Sequence, residues 1–548
     1  MVNINIQKVV FSQELSDVER STIFKYFYRR LADHRNLAAV YANSEHKYSK
    51  SSQKDKQINE FTREVYQWTD DLLKQAWVAC DCPGGSECPE LDPLADTSIA
   101  DLPRLPPVHL TAKILNIIIL LHITCTRSYS AHTRSFLLRT FGNFDEDAVA
   151  DMLKHPDEAA HDAAEAARKQ HVNHTKIWRR VGIGAGAVAG GVLIGVSGGF
   201  AAPLVGAGLS SLMYLLGIGG PVGLLVNALA SSGAVCGTLF GIYGAASTAQ
   251  MVTRHTQEIR DFAFVPVHSP RDSLTVRLCI SGWLASPEDV TAPWSIFDEA
   301  NDTFALRWEV KALQELSTAL YDLIGTHAFQ YIQWAILRRT ALSTLMAGLS
   351  PLLLLKIGKV VDNPWSNAKA LAIQAGKVLG TLLANRAFGS RPVTLTGYSL
   401  GSLVLVEALR HLSTFPAAET AHLIQDVFLF GTPVPTSPRL WSAIRRVVAG
   451  RVVNGYAETD YILAILSRTT DGKWGVAGLR PVEVQGVENV QCDHVEGHLK
   501  WRRMVGRCLQ ICGADGLRSE EVERQFAEEE VAEKEVIWDA DDENGELV

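Results

Sequence analysis

Gly397-Tyr398-Ser399-Leu400-Gly401 sets a serine between two glycines, each two residues away. This is the spacing of a nucleophile elbow, where a sharp strand-to-helix turn presents the hydroxyl to an acyl carbon. A hydroxyl is a poor nucleophile until a base takes its proton, and the base needs an acid to fix its tautomer. On sheets of this kind the three follow in the order nucleophile, acid, base, on loops after successive strands. Asp460 follows the strand candidate Arg451 to Tyr456 and stands where the acid belongs. Asp426 precedes its own strand candidate, and Asp471 lies in a polar Thr-Thr-Asp-Gly turn suited to the surface. Among the later histidines, His411 and His422 come too early in that order. His494 and His498 share the segment Asp493-His-Val-Glu-Gly-His498. Gly497 frees the backbone to present His498 from a loop, which favours His498 and leaves His494 as the alternative base. Their four-residue spacing also suits a metal, but the Glu of H-E-x-x-H is missing, so neither metal nor cofactor is expected.

The flanking elements fit the elbow. Val393-Thr394-Leu395-Thr396 reads as a short buried strand and Ser402 to Leu412 as a helix with an apolar face. Gly397 and Gly401 let strand and helix approach closely around the strained serine. The N–H of Leu400 then opens a helix, aimed where an oxyanion develops. A second donor is expected after an early strand. Ser281-Gly282-Trp283-Leu284 follows the strand candidate Leu274 to Ile280, so the N–H of Trp283 or Leu284 is the candidate. An ordinary turn with a serine capping the helix is the alternative, and it explains the glycines less well.

Further candidates are strands at Asp426 to Phe430 and Arg451 to Tyr456 and helices at Leu306 to Ile324 and Trp365 to Phe388. Such alternation predicts an α/β-hydrolase domain with a mostly parallel sheet over residues 256–515. Residues 1–175 read as a helical N-terminal region, with apolar residues at helical spacing from about Ser12 to Ala79 and a buried apolar helix from Leu110 to Cys125. From Val181 to Thr253 no Asp, Glu, Lys or Arg occurs, a run of about seventy residues with room for two bilayer crossings. Glycines recur there every fourth position, as at Gly182, Gly186 and Gly190, a ridge that lets helices pack in lipid. Arg179 and Arg180 before it and Arg254 and Arg260 after it favour cytosolic flanks. Residues 176–255 are therefore expected to be a Gly-rich transmembrane hairpin of an integral membrane protein with a cytosolic catalytic domain. A Gly/Ala-rich helical insertion, buried against the soluble domain or lying re-entrant in one leaflet, is the alternative. The acidic residues 516–548 read as a disordered tail. The net charge of -8, without a basic stripe interleaved with aromatics, argues against nucleic acid. No secretory signal opens the chain, so Cys80, Cys82 and Cys88 are expected as reduced thiols.

Several ordered blocks carry a resemblance: Ile280-Ser-Gly-Trp283, Leu306-Arg-Trp-Glu309, Asp362-Asn-Pro-Trp365, Arg391 to Gly401, Gly431-Thr-Pro433, Gly450 to Tyr456 with Asp460, and Gly497-His498. Together with the Gly-rich segment, they resemble the transmembrane and coiled-coil domain-containing family of membrane α/β-hydrolases, related to lipases. The resemblance implies an integral membrane serine hydrolase with Ser399, Asp460 and His498 as its triad. Lipase or phospholipase activity and a role in membrane traffic are implied with it. The resulting expectation is a membrane-anchored esterase or lipase whose partners are membrane lipids. The alternative is a noncatalytic tether that keeps the fold to bind a trafficking protein.

Overall fold

The computed structural model describes residues 15–48, 52–85, 87–142, 144–155, 232–240, 261–324, 358, 361–471 and 475–528. Seven strands form one sheet: β1 (Ala263–Pro266), β2 (Val276–Ile280), β3 (Asp302–Arg307), β4 (Val393–Tyr398), β5 (Ile424–Phe430), β6 (Val452–Tyr456) and β7 (Val487–Gln491). Their order is β1-β3-β2-β4-β5-β6-β7, with β1 antiparallel to β3 and every other pairing parallel. This mostly parallel α/β architecture is compatible with the expected hydrolase domain. The central strands β4 and β5 are buried along nearly their whole length because helices cover both faces. Edge strand β7, Val-Glu-Asn-Val-Gln, is half exposed and polar, and periodicity does not reveal it. Also unforeseen were β1 and β3. Residues 302–307 pair between β1 and β2, so the helix expected from Leu306 begins only at Val310.

Among the described residues, the N-terminal region holds five α-helices: α1 (Asp17–Ser44), α2 (Ser52–Ala79), α3 (Val108–Thr126), α4 (Ala131–Phe141) and α5 (Glu146–Lys154). Apolar stripes including Ile23, Phe27, Leu31, Phe61, Trp68 and Leu72 close on α3 in a core of their own. Among the described residues, α3 alone is long and apolar enough to cross a membrane. It lies largely buried, and its polar His122 is bonded to Gln75 and Thr133 of neighbouring helices. Just after α1 stands Glu45, a buried carboxylate paired with Arg446 of the α/β domain at 2.8 Å.

Most of the hairpin expected at 176–255 lies outside the described residues. Its residues 232–240, however, pack on protein: Val235 and Leu239 join the N-terminal core, Cys236 Sγ donates to Leu153 O, and Ser390 N donates to Thr238 O. The acidic stretch expected as a tail over 516–548 is described as far as residue 528. A helix over 519–528 packs on the α/β domain, where Gln525 Oε1 accepts from Gly506 N and its Nε2 donates to Pro293 O. Val522 fills the same seam, an apolar contact that the acidic composition obscures. Residues 529–548 lie outside the described set.

Candidate active site

Parallel strands bring all their C-terminal ends to one rim, so loops far apart in sequence meet there. At the end of β4 the chain turns directly into the helix Leu400–Leu412. Ser399 makes that turn at φ 54° and ψ -128°, a conformation that costs a non-glycine residue on the order of 1–3 kcal/mol. Packing holds it: Ser399 N donates to Phe430 O at 2.9 Å, and Ser402 Oγ donates to Gly397 O at 2.6 Å. A Cβ on Gly401 would overlap the Ile280 carbonyl, and one on Gly397 would sit 3.0 Å from Leu405 and 3.1 Å from the Gly401 backbone. Gly401 is therefore required by close approach, and Gly397 is tightly confined, as their spacing suggests.

Ser399 Oγ lies 2.5 Å from His498 Nε2, and His498 Nδ1 lies 2.7 Å from Asp460 Oδ2. A carboxylate only accepts, so Nδ1 carries the proton and Nε2 is left to accept from the serine hydroxyl. His498 follows Gly497, whose φ of 100° suits glycine, and Asp460 sits in the loop after β6. All three side chains are buried, Ser399 at 1% exposure and the others at 0%.

Further residues complete the setting. Asp460 Oδ2 also accepts from Trp501 Nε1 at 2.9 Å, and Oδ1 accepts from Leu463 N at 3.0 Å. Gly431 (φ 54°) makes room for that indole, because a Cβ there would lie 2.5 Å from Trp501 Nε1. The Trp365 ring stands edge-on to the His498 imidazole, with centroids 6.5 Å apart. Sequence reasoning missed Trp501, which carries no motif. Gly431, Trp308 and Trp365 lay in the blocks of the resemblance without an assigned role.

The loop with Trp283 and Leu284, both buried, lies against the elbow: a Cβ on Gly282 would overlap Tyr398 O and fall 2.5 Å from Leu400 N. Two indoles pin it, Trp308 Nε1 donating to Ser281 O (3.2 Å) and Trp294 Nε1 to Ser281 Oγ (3.1 Å). Asp289 closes the far side, accepting from Ala285 N and pairing with Arg502. The N–H of Leu400 opens its helix, where main-chain donors have no intrahelical partner. This rim can thus present donors to an oxyanion beside an activated hydroxyl.

The alternatives fall elsewhere. His494 Nε2 meets Cys508 Sγ at 3.3 Å rather than the serine. Asp426 lies near the opposite end of the sheet, where it accepts from Arg451 N, and burial raises its carboxyl above the usual range. Asp471 ends the helix Tyr461–Asp471. Among the described residues no group of three His, Cys, Asp or Glu side chains could hold a metal.

Comparison with known proteins places this geometry in context. Residues 175–515 match the family described as "Protein of unknown function (DUF726)". An uncharacterized membrane protein of Schizosaccharomyces pombe is 37% identical over 366 residues, 65% of this chain and 62% of that protein. The transmembrane and coiled-coil domain-containing protein STS1 of Oryza sativa is 35% identical over 347 residues, 61% of this chain and 52% of its own length. The probable lipase MIL1 of Saccharomyces cerevisiae is 33% identical over 329 residues, 59% of this chain and 29% of the lipase. The chain thus spans less than two thirds of the length of each of these relatives. No solved structure matches it. With the family match covering more than half of its residues, and with a relative that carries the transmembrane and coiled-coil domain-containing name, the chain belongs to the DUF726 family.

Proposed function

We propose that this chain is a membrane-anchored serine hydrolase with an α/β-hydrolase domain, acting on acyl esters and in particular on lipid esters. His498 Nε2 takes the proton of Ser399 Oγ as the oxygen bonds to the acyl carbon, and Asp460 stabilises the imidazolium that results. Charge on the former carbonyl oxygen is met by the N–H of Leu400 and an N–H of the 282–284 loop, Trp283 or Leu284. Collapse expels the alcohol, which receives the proton from His498. Water then repeats the sequence on the acyl-enzyme and releases the acid. The single observation that carries this reading is the unbroken hydrogen-bonded chain Ser399–His498–Asp460 behind a strained serine.

A lipid substrate is supported by the uncharged glycine-rich segment, which would put the site beside a bilayer that already concentrates it, and by a relative named as a probable lipase. A fluorophosphonate probe should label the full chain in membranes, and Ser399→Ala should abolish the label. Carbonate extraction should leave the chain in the membrane pellet. One observation favours a second reading, a noncatalytic tether that keeps the fold to bind a trafficking protein: Ser399 is only 1% exposed. Folded, membrane-embedded protein that resists the probe would establish that reading instead.

A further inference from the structure

At the rim of the sheet opposite Ser399, where the N-terminal helices dock, lies a cavity of about 590 Å³. Gln425 and Asp426 of β5, Arg451 ahead of β6 and Glu488 of β7 line one side. Tyr41 of α1 and Arg139 of α4 line the other. Arg445 also lines it, and its situation is unusual for a buried cation, which is costly to desolvate unless paired. Arg445 is 2% exposed, yet its Nε and Nη1 reach no hydrogen-bond partner among the described residues. Nearby arginines are committed elsewhere: Arg451 to Glu488, Arg134 to Glu146 and Arg446 to Glu45.

Of the three acids that line the cavity, two are committed, and the third, Asp515, stands at its border with a smaller cavity. Asp426 accepts from Arg451 N and from Gln425 Nε2, and Glu488 holds Arg451. The Arg445 guanidinium lies 4.5 Å from the Tyr41 ring centroid. Burial pushes its pKa down to about 10; the charge of Arg139 adds to this, while Tyr41, Asp426 and Glu488 oppose it. An adjoining cavity of about 40 Å³ shares Asp426, Arg451 and Asp515. It holds a second guanidinium with an unpartnered nitrogen, Nη1 of Arg277, at 6% exposure.

We propose that this cavity binds a small phosphate ester, with Arg445 and Arg139 as the residues that take its phosphate. Two guanidiniums offer more N–H donors than the two oxygens of a carboxylate use, whereas a phosphate monoester presents three oxygens. The volume lies within the roughly 300–1,000 Å³ of small-molecule sites, and Leu37, Leu138 and Val487 supply apolar wall for the ester's carbon body. The phosphate belongs either to a soluble ester or to a lipid head group, and both present the same chemistry to the arginines. Being at the other end of the strands, the site is separate from Ser399 and does not depend on the proposed hydrolysis.

Isothermal titration of the purified full chain in detergent tests this, with inorganic phosphate, glucose 6-phosphate and dihexanoyl phosphatidic acid as probes. At least one probe should bind, with affinity roughly tenfold weaker or worse in Arg445→Gln and in Arg139→Ala. Ser399→Ala should bind as the unaltered chain does. Binding of glucose 6-phosphate identifies a soluble ester as the source, and binding of the short-chain lipid alone identifies a head group. Arg139 is exposed, so its variant keeps the test readable if Arg445→Gln misfolds. Failure of all three probes, or equal affinity in Arg139→Ala, overturns the proposal.

Discussion

Asp460 accepts from three donors, His498 Nδ1, Trp501 Nε1 and Leu463 N. This satisfies a fully buried carboxylate while leaving one oxygen aimed at the imidazole. In the proposed reaction its replacement by Asn would invert the donor at Nδ1 and leave the wrong tautomer facing Ser399. Asp460→Asn should therefore lower kcat on a short-chain ester by about 10⁴ with the fold intact. Trp501 touches the acid but not the serine or the base in the contacts seen, so it is a positioning residue. Trp501→Phe removes one hydrogen bond to a charged group and should lower kcat by roughly ten- to a hundredfold. Because the substrate pocket is untouched, KM should stay near its original value; a KM rise with unchanged kcat would mean the indole serves binding instead.

The rim is built from elements that check one another's position. One helix, Trp501–Ile511, places Trp501 on the acid and Arg502 on Asp289, which braces the loop carrying Trp283 and Leu284. Acid and candidate oxyanion loop are thus tied through two adjacent residues. On the other side, β2 and the helix after Ser399 approach so closely that Gly282 and Gly401 face backbone atoms, which cannot rotate away. Gly282→Ala should consequently cost labelling of Ser399 and lower the thermal midpoint together. A variant that labels normally would show that the loop can retreat without disturbing the elbow. The small residues Ala372, Gly376 and Gly380 do the same for the helix Ser366–Ala384, whose Gly376 would place a Cβ 2.6 Å from Val404 O.

Across the whole molecule, the N-terminal helices are docked through charge as well as apolar surface. Glu45 and Arg446 are each 1% exposed in their side chains, and Lys54 completes the group at 2.9 Å from Glu45. Arg446→Leu would strand much of a buried carboxylate's charge and should destabilise the folded chain by about 3–5 kcal/mol. Hydrogen exchange should show α1 and α2 losing protection first. The same interface buries His34 and His132, which pack against Trp68, His34 edge-on, with the charge of Arg445 acting on both and that of Arg139 on His34. Burial, helped by the arginine charges, lowers His34 from 6.5 to about 3, and burial first of all depresses His132. Between about pH 6.5 and 3 the unfolded chain binds protons that the folded one excludes. Stability is therefore full above pH 6.5 and falls on acidification, by up to about 1.4 kcal/mol per pH unit for each histidine. Urea midpoints at pH 7.5 and 5.5 should separate, and His34→Gln should narrow the gap; an unchanged gap would remove His34 from the account.

What the sequence determined by itself was local chemistry: the elbow glycines, the buried strands β4 and β5, and the order of Ser399, Asp460 and His498 along the chain. The glycines and strands depend on neighbours within a few residues, where backbone sterics and periodicity leave a readable trace, and the order of the three polar residues is read from the strands they follow. Tertiary structure decided the rest. Strand β7 is polar, and β3 sits inside a stretch resembling a helix start, so only pairing with neighbours makes them strands. Nothing near Trp501 in sequence marks it, because its partner Asp460 is 41 residues away. Gly497 already favoured His498 over His494 in the sequence; what only the tertiary structure supplied is the meeting of the loops, because parallel pairing of β4, β5, β6 and β7 carries the loops after β4, β6 and β7 to one edge, where the His498 imidazole faces the serine while His494 faces Cys508.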